Sequence, residues 1–395
     1  MSMHTILVIN CGSSSIKFAV INSQDETTLI SGLAERLGTP QAGLSYKLNA
    51  EKHSHTPKGT DHSAAMQAIL DIIRAANLLD NLVAVGHRVV HGGEYFHDSQ
   101  VLDEKSLERL KTLSHLAPLH NPVNIIGIEA AMQLLPDRPQ VAVFDTAFHQ
   151  SLPQKAFLYG LPMDYYREHA VRRYGFHGTS YRYVTQKAAD ILGKPLNQCC
   201  FLAAHLGNGC SAAAVLNGKS ADSSMGMTPI EGLIMGTRCG DIDPGLHEYL
   251  CQRLNLSLPQ LMSVLNKQSG LLGLSGVSND MREIKSAAAN GNQQAALALE
   301  VFAFRIARYL GSLAVSLPRI DALIFTGGIG ENDADLRASV LQQLAILGFK
   351  TDAQLNQQGG DPQGRISAET STLAMVVATN EELMIALDAA RLIKE

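Results

Sequence analysis

Apolar and polar positions follow the same order in two distant parts of this chain. Residues 6–22 read ILVINCGSSSIKFAVIN, and residues 201–217 read FLAAHLGNGCSAAAVLN. Each segment is an apolar strand, a Gly-rich polar loop, a second apolar strand and an Asn at the next turn. The pattern predicts two β-hairpins at equivalent places in two related halves. Two such loops facing each other across a cleft would bind a polyphosphate, which favours a nucleotide-using phosphotransferase.

Further apolar segments alternate between strand and helix patterns, which predicts mixed sheets with helices on their faces. The predicted strands are residues 5–9, 16–21, 83–90, 141–145, 200–204, 211–216 and 322–326. The predicted helices are residues 104–116, 122–135, a segment within 293–315, 333–347 and 380–393. The strands VAVFD (141–145) and ALIFT (322–326) both run into polar loops, so we interpret them as a second duplicated element.

The length of 395 residues fits two to three domains. A boundary is expected near residues 147–160, because Pro153 and, just beyond, Pro162 interrupt the pattern. We therefore expect an N-terminal domain over residues 1–150, completed by a C-terminal helix at 380–395. The second domain is expected over residues 151–379.

Composition and charge exclude several classes of function. The net charge is −5 and no basic block is present, which argues against a nucleic-acid-binding surface. The cysteines form no CxxC pair and no signal peptide precedes the first strand, so we expect reduced thiols and a cytoplasmic protein. No window reaches the roughly 18 apolar residues that a membrane span requires.

The first hairpin loop carries the donors that phosphate binding requires. Gly12 allows backbone N–H groups to point inward, the following serines offer hydroxyl groups, and Lys17 lies just beyond. The GxxxxGK[ST] spacing of a Walker A motif is absent. A polar hairpin turn would explain one such loop, but the second copy favours phosphate binding.

A third Gly-rich segment, residues 326–332 (TGGIGEN), follows a buried strand and opens a helix. Glycines before a helix N-terminus allow a nucleotide to approach the backbone and the positive end of the helix dipole. Strand-to-helix turns use Gly freely, and Asn332 also has the simpler role of a helix cap. Together with the two hairpin loops, the segment indicates an adenosine-side element.

Several side chains outside these loops are candidates for the reaction. Arg88 and Arg238 are bracketed by small residues, so each could bind a carboxylate or a phosphoryl group with both arms. Asp145 ends a strand, where α/β sites lie, and His177 could donate from a Gly-flanked loop to a phosphoryl oxygen. The ordinary alternatives are a surface salt bridge for each arginine, a turn cap for Asp145 and a structural role for His177. Glu381 either complements the dipole of the last helix or, if that helix returns to the cleft, binds a metal.

These motifs together resemble the acetate kinase family, which shares a superfamily with actin, the heat-shock chaperones and hexokinase. The likeness runs over essentially the whole chain, and several of its blocks are family-specific. They read NCGSSSIK, HRVVHGGE, APLHNP, VFDTAFH, RYGFHGTS, HLGNG, MGTR-GDIDP, SGLLGLSGVSND-R, FTGGIGEN and TNEE. Small departures from the family pattern occur at Cys210 and Cys239, neither of which removes a functional group.

The resemblance implies a fold of two duplicated ribonuclease-H-like domains with an interdomain cleft, in a homodimer. It implies reversible phosphoryl transfer from ATP to acetate, giving acetyl phosphate and ADP. The metal would be Mg²⁺, with Mn²⁺ as an alternative. Acetate and nucleotide are the expected partners, without nucleic acid or a membrane.

By likeness of motif, the resemblance also implies roles for individual residues. The catalytic residues would be Asp145, His177 and Arg238. The metal ligands would be Asn10 and Glu381. Acetate would be bound by Arg88 at its carboxylate and, at its methyl group, by Val90, Leu119, Phe176 and Pro229. ATP would be held by Lys17, by His205, Leu206, Gly207, Asn208 and Gly209, by Asp280, Met281 and Arg282, and by Gly328, Ile329, Gly330, Glu331 and Asn332.

The role of Asp145 and the acyl specificity stay open at this point. Acetate is already ionised at neutral pH, so Asp145 would organise magnesium or water, or orient Arg88, rather than remove a proton. Propionate kinases share nearly all the blocks, and the resemblance implies that a smaller residue at the position of Val90 accompanies the longer acid. Val90 therefore favours acetate over propionate. A nucleotide switch without an acyl acceptor is the alternative from another class, and a sugar or glycerol kinase would need polar pocket walls.

Overall fold

The computed structural model describes residues 4–394. The chain divides into two units. The first comprises the residues up to Phe148 together with those from Asn380 onward, and the second is His149–Thr379. Among the described residues, no helix has both the length and the apolar character needed to cross a membrane.

The first unit is built on an eight-stranded mixed sheet. Its strands are β1 (Thr5–Gly12), β2 (Ser15–Asn22), β3 (Thr27–Glu35), β4 (Gly43–Leu48), β5 (Glu51–His55), β6 (Leu82–Val89), β7 (Gln100–Val101) and β8 (Gln140–Phe144). Its first helices are α1 (His62–Ala75), α2 (Glu104–Thr112) and α3 (Asn121–Leu134). The strand order is β5-β4-β3-β2-β1-β6-β8-β7, with β1, β6 and β8 parallel to one another.

The second unit is built on a five-stranded sheet surrounded by helices. Its strands are β9 (Cys200–Leu206), β10 (Cys210–Leu216), β11 (Lys219–Ser223), β12 (Ala322–Thr326) and β13 (Ala374–Val376). Its helices are α4 (Gln154–Phe157), α5 (Met163–His169), α6 (Gly178–Ile191), α7 (Gly245–Leu254), α8 (Leu258–Lys267), α9 (Gly270–Ser275), α10 (Met281–Ala289), α11 (Gln293–Leu313), α12 (Gly327–Asn332), α13 (Ala334–Gln343) and α14 (Ala353–Gln357). The last helix, α15 (Glu381–Leu392), belongs to the first unit.

The core of the first unit lies on both faces of its sheet. On one face, Leu7 and Ile9 of β1 point toward α1 and α3, where Ile69 and Ala131 belong to the same buried cluster. On the other face, α15 packs against β1 and β6. A methyl group at Gly86 of β6 would come within 2.6 Å of Ile385 Cγ2, so the glycine permits this close approach. Because both faces are covered, residues 6–9 of β1 are continuously apolar rather than alternating.

The two sheets repeat one topology, which confirms the mixed α/β prediction and the duplicated hairpins. Strands β3-β2-β1-β6-β8 correspond in order and direction to β11-β10-β9-β12-β13. The predicted equivalence of residues 141–145 and 322–326 is wrong. Strand β12 is hydrogen-bonded directly to β9, so its counterpart is β6, whereas β8 corresponds to β13. Any central parallel strand is apolar and ends in a polar loop, so the pattern alone did not distinguish the two.

The hairpin loops also differ from the expectation in detail. Gly12 does not adopt a positive φ; it is the last residue of β1 and pairs with Ser15 across a two-residue turn. The second hairpin instead has a three-residue loop, 207–209. The predicted helix 333–347 is divided into α13 and a short 3₁₀ turn, which ends at Gly348 with φ 83° as a glycine terminator should.

Two buried histidines make the fold sensitive to acid. His87 in β6 contacts Gln140 Oε1 at 2.8 Å, and His149 contacts Ser220 Oγ at 2.7 Å and the Phe176 carbonyl at 2.9 Å. Burial lowers the pKa of each imidazole from 6.5 to about 4. As the pH falls, the unfolded chain therefore binds protons before the folded chain does. The stability contributed by each neutral histidine is complete above pH 6.5 and is lost as the pH falls toward 4.

We expect the free energy of unfolding to fall by about 3 kcal/mol per buried histidine over this pH range. Urea titrations at several pH values would measure the loss. His87→Gln should flatten the pH dependence by about the contribution of one histidine, whereas replacement of the exposed His115 by Gln should not. Identical pH dependence in wild type and His87→Gln would show that His87 is not a source of the acid sensitivity.

Candidate active site

In the first unit, Arg88 and Asp145 form an ion pair at the ends of two adjacent parallel strands. Arg88 Nη2 donates to Asp145 Oδ2 at 2.7 Å, and Arg88 Nε donates to the two carboxylate oxygens at 3.1 and 3.2 Å. Asp145 is 1% exposed. Its charge raises the pKa of Arg88, so the guanidinium stays protonated. Among the roles considered for Asp145, the orientation of Arg88 is the one that this geometry supports.

The first unit also carries the predicted metal ligands. Glu381 begins α15, and its Oε1 is buried without a hydrogen-bond partner among the described residues. A buried carboxylate oxygen of this kind fits a hard cation such as Mg²⁺, which prefers oxygen ligands. Asn10 is half-buried in β1. Residues 4–394 contain no group of three or more His, Cys, Asp or Glu that could hold a metal, so phosphate oxygens and water would have to complete the shell.

The remaining predicted residues of the first unit are Lys17, Val90 and Leu119. Lys17 in β2 forms an ion pair with Glu382 of α15. Val90 is buried, and its backbone N–H donates to Asn124 Oδ1 at 3.1 Å. Leu119 is exposed. Thus Val90 is fixed in the interior of this unit, whereas the side chain of Leu119 is turned largely to solvent.

In the second unit, a cavity of about 750 Å³ brings together three segments that the sequence predicted for ATP. The predicted residues that line it are Gly207, Asn208, Asp280, Met281, Arg282, Gly328, Ile329 and Asn332. Asn279, Lys285 and Asp333 also line it and were missed. Lys285 pairs with Asp333 at 2.9 Å and lies one helical turn after Met281 on α10. That helical spacing was the one signal in the sequence that could have revealed it.

Other residues predicted to bind ATP do not line the cavity. Glu331 Oε1 accepts from the backbone N–H groups of Gly327 at 2.9 Å and Thr379 at 3.1 Å, so this carboxylate fastens the turn. Leu206 and Gly330 are buried. His205 is half-buried, and its Nδ1 is 2.9 Å from the Ser180 hydroxyl.

Arg238 and His177 both approach Gly209, in the loop 207–209 of the second hairpin. A methyl group at Gly209 would lie 3.3 Å from Arg238 Nη2 and 3.4 Å from His177 Nε2. Arg238 Nη1 donates to the carbonyl of Pro229 at 2.7 Å, which fixes the guanidinium against its own loop. His177 has φ 57° and is itself the N-cap residue of α6. Two donors that converge on one point can stabilise negative charge on a phosphoryl group.

The loop that carries Arg238 is fastened by groups that sequence reasoning missed. Glu231 accepts from Arg173 Nη2 at 2.6 Å and from the Tyr159 hydroxyl at 2.5 Å. Asp241 accepts from the Gly232 N–H at 2.8 Å and from the Tyr309 hydroxyl. The residues that Glu231 and Asp241 bind through side chains lie far from them in sequence, so no local spacing predicted these contacts.

His149 fixes the loop before α6 that contains Gly175 and Phe176. Its ring contacts the carbonyl of Phe176 at 2.9 Å and packs against Gly175, where a methyl group would come within 2.6 Å of Cγ. Gly175 has φ 76°, a conformation that favours glycine. Phe176 itself is 2% exposed. The loop therefore presents His177 from a rigid base.

Cys210 and Cys239 are poor candidates for thiol oxidation in the folded chain. Cys210 is fully buried, and burial raises the pKa of its thiol to about 12. Cys239 is half-buried, and burial raises its pKa as well. Both thiols stay protonated at neutral pH, which makes them weak nucleophiles.

Comparisons with known proteins agree over the whole chain. The model of the acetokinase family matches residues 5–387. The acetate kinase of Chromobacterium violaceum is 53% identical over 391 residues, with 98% of each chain covered. Among solved structures, a propionate kinase from Francisella tularensis has a TM-score of 0.95 at 45% identity, and the two chains are covered to 99% and 100%. The acetate kinase of Porphyromonas gingivalis has a TM-score of 0.94 at 41% identity, with the same coverage.

Proposed function

This chain belongs to the acetokinase family, and we propose that it phosphorylates acetate with ATP, reversibly, to give acetyl phosphate and ADP. The observation that carries the proposal is the meeting of Arg238 and His177 at Gly209, in the loop that also lines the nucleotide cavity. Phosphoryl transfer depends mainly on positioning and on electrostatic stabilisation of the transferring group. Two donors beside the loop 207–209 would supply that stabilisation.

The first unit contains the residue that binds the carboxylate of the acceptor, acetate. Arg88 binds the acetate carboxylate. The hydrogen bonds from Arg88 to Asp145 fix the orientation of the guanidinium. Acetate is ionised at neutral pH, so its oxygen attacks the γ-phosphorus in line without a general base. By family resemblance, Val90 and Leu119 of this unit are assigned to the methyl group of acetate, as are Phe176 and Pro229 of the second unit.

The second unit supplies nucleotide binding and charge stabilisation. The segments 207–209, 280–282 and 328–332 hold ATP in this proposal, and Lys17 is assigned to ATP by family resemblance alone. Arg238 and His177 donate to the equatorial oxygens of the transferring group, where negative charge concentrates.

The proposal includes a divalent metal, an oligomeric state and a location. Asn10 and Glu381 would hold Mg²⁺, or Mn²⁺ in its place, and the bound metal would neutralise phosphate charge. The buried, unpartnered Oε1 of Glu381 supports this assignment. By family resemblance we also propose a homodimer in the cytoplasm, which light scattering on the purified protein and fractionation of cells would test.

The test of the function is the trapping of acyl phosphate with hydroxylamine. The full chain would be incubated with ATP and Mg²⁺ and with acetate, propionate, butyrate or glycerol, while ADP release is recorded in parallel. We expect strong acetyl hydroxamate formation, a weaker signal with propionate, none with glycerol, and loss of all product when the metal is chelated. ADP release without any hydroxamate would instead favour a nucleotide switch that has no acyl acceptor.

Val90 is expected to set the preference for the two-carbon acid. Val90→Ala removes two methyl groups from a buried wall and should raise kcat/KM for propionate relative to acetate by about tenfold, because one methylene is worth about 1–3 kcal/mol in such a pocket. The ratio of kcat/KM values for the two acids measures the effect. The matched control is Val101→Ala, on the exposed strand β7, which should leave the ratio unchanged. An unaltered ratio in Val90→Ala would remove Val90 from the acyl pocket.

A further inference from the structure

We propose that Ser211 and Tyr181 form a hydrogen-bond relay that positions His177 and fixes its tautomer, with Nδ1 as acceptor and Nε2 as the N–H donor. The inference rests on the proposed function, since it assigns Nε2–H the task of donating to the transferring phosphoryl group. Neither Ser211 nor Tyr181 touches the reacting atoms in this scheme. Both act through His177 and are positioning residues.

The relay is short and fully enclosed. The Ser211 hydroxyl is 2.8 Å from His177 Nδ1, and the Tyr181 hydroxyl is 2.6 Å from Ser211 Oγ. Ser211 and Tyr181 are both 0% exposed. Tyr181 lies one turn after His177 on α6, and Ser211 is the second residue of β10. The helix and the strand thus hold the two hydroxyl groups on the Nδ1 side of the ring.

In the proposed relay, the hydrogen bonds run from the phenol of Tyr181 toward His177. Burial raises the pKa of Tyr181, so its hydroxyl stays protonated at neutral pH and acts as a donor. A hydrogen bond from the His205 backbone occupies the phenol oxygen as an acceptor. In the proposed relay, Tyr181 donates to Ser211 Oγ, and the hydrogen of Ser211 is directed to His177 Nδ1. A neutral imidazole that accepts at Nδ1 carries its proton on Nε2.

The opposite edge of the ring is the edge that faces the nucleotide loop. His177 Nε2 is the atom that a methyl group at Gly209 would approach, next to Arg238 Nη2. The His205 ring stacks on His177 with centroids 4.2 Å apart and 24° between the planes, which restricts rotation of the imidazole. The ring orientation and the tautomer together direct the Nε2–H of His177 toward Gly209, which Arg238 Nη2 also approaches.

The test combines a tautomer measurement with kinetics on the full chain. Nitrogen NMR of protein labelled at its 14 histidines distinguishes protonated from unprotonated ring nitrogens, and the resonances of His177 are those missing in His177→Gln. We expect protonated Nε2 and unprotonated Nδ1 in the wild type. In Ser211→Ala the two tautomers should mix and kcat should fall about tenfold, with KM for acetate and ATP nearly unchanged.

Two further variants separate the relay from a packing role. Ser211→Thr keeps the hydroxyl on a β-branched side chain that suits a strand, and it should recover the tautomer and most of kcat. Tyr181→Phe keeps the ring volume, removes the first donor of the relay, and should give a partial tautomer mixture with a smaller loss of kcat. Tyr181→Phe also provides the answer if Ser211→Ala does not fold.

The possible failures are distinguishable. A wild-type enzyme that forms acetyl hydroxamate but carries the proton on Nδ1 would overturn the relay and leave the proposed function intact. Unchanged tautomer and kcat in both Ser211→Ala and Tyr181→Phe would also overturn it. Absence of hydroxamate from the wild type would overturn the proposed function and, with it, the catalytic purpose of the relay, whatever the tautomer.

Discussion

Replacement of Arg238 by alanine is expected to lower kcat by about 10²–10³-fold, the usual effect of removing one preorganised donor from a developing oxyanion. The KM for ATP should change little, because Arg238 does not line the cavity proposed for the nucleotide. The guanidinium is anchored to the Pro229 carbonyl at 2.7 Å and its loop is fastened by Glu231 and Asp241. It therefore stands in place before the reaction and loses little entropy during it. Steady-state kinetics of acetyl phosphate formation would measure the change.

Two controls define what the Arg238 result means. Arg238→Lys keeps the charge but loses the forked geometry, so it should fall between wild type and Arg238→Ala. Glu231→Gln leaves Arg238 in the chain but removes the charge that binds Arg173, and it should lower kcat less than Arg238→Ala does. Full turnover in Arg238→Ala, with the protein folded, would exclude Arg238 from transition-state stabilisation.

Removal of Arg88 is expected to damage acetate binding and stability together. Arg88→Ala should raise the KM for acetate by about 10²-fold, because a charge-assisted forked contact to the carboxylate is lost. It should also lower the free energy of unfolding by about 3 kcal/mol, because the carboxylate of Asp145, which is 1% exposed, loses its ion-pair partner. The KM for ATP should stay close to the wild-type value. Initial rates over a range of acetate concentrations and urea unfolding give the two numbers.

A double variant separates the two effects of Arg88. In Arg88→Ala/Asp145→Ala the unpaired buried carboxylate is gone, so stability should recover relative to Arg88→Ala while acetate binding stays weak. Arg88→Lys retains a charge without the fork and should show an intermediate KM for acetate. If acetate binding instead recovered in the double variant, the KM defect of Arg88→Ala would come from the unpaired carboxylate, and Arg88 would not bind substrate.

Much of the fold could be predicted from local pattern. The two hairpins were visible because an apolar strand, a Gly-rich loop and a second apolar strand are encoded within about 17 residues each. The predicted stop at Gly348 is where the 3₁₀ turn after α13 ends, because this position has a positive φ that glycine tolerates. In contrast, strands β3, β4 and β5 were not predicted. Their side chains are largely partly exposed or exposed, which leaves no clear apolar signal.

For the site, the sequence identified residues but not their partners. Arg88 and Asp145 were both singled out, yet their pairing joins positions 57 residues apart and depends on β6 lying beside β8. Lys285 and the hydroxyl groups of Ser211 and Tyr181 were missed altogether. A serine in an apolar strand and a tyrosine in a helix carry no sign of function until a third side chain is brought within hydrogen-bond distance.

The sequence by itself determined the family, the duplicated hairpins, and the arginines, histidine and glycine loops of the candidate site. These features depend on residue type and short spacing, which the chain encodes directly. Only the tertiary structure decided which parallel strands correspond, that Asp145 holds Arg88, and that His177 and Arg238 meet at Gly209. Those facts depend on strand order and on packing between distant segments. Many strand orders bury the same apolar residues equally well, so the pattern along one chain does not select among them.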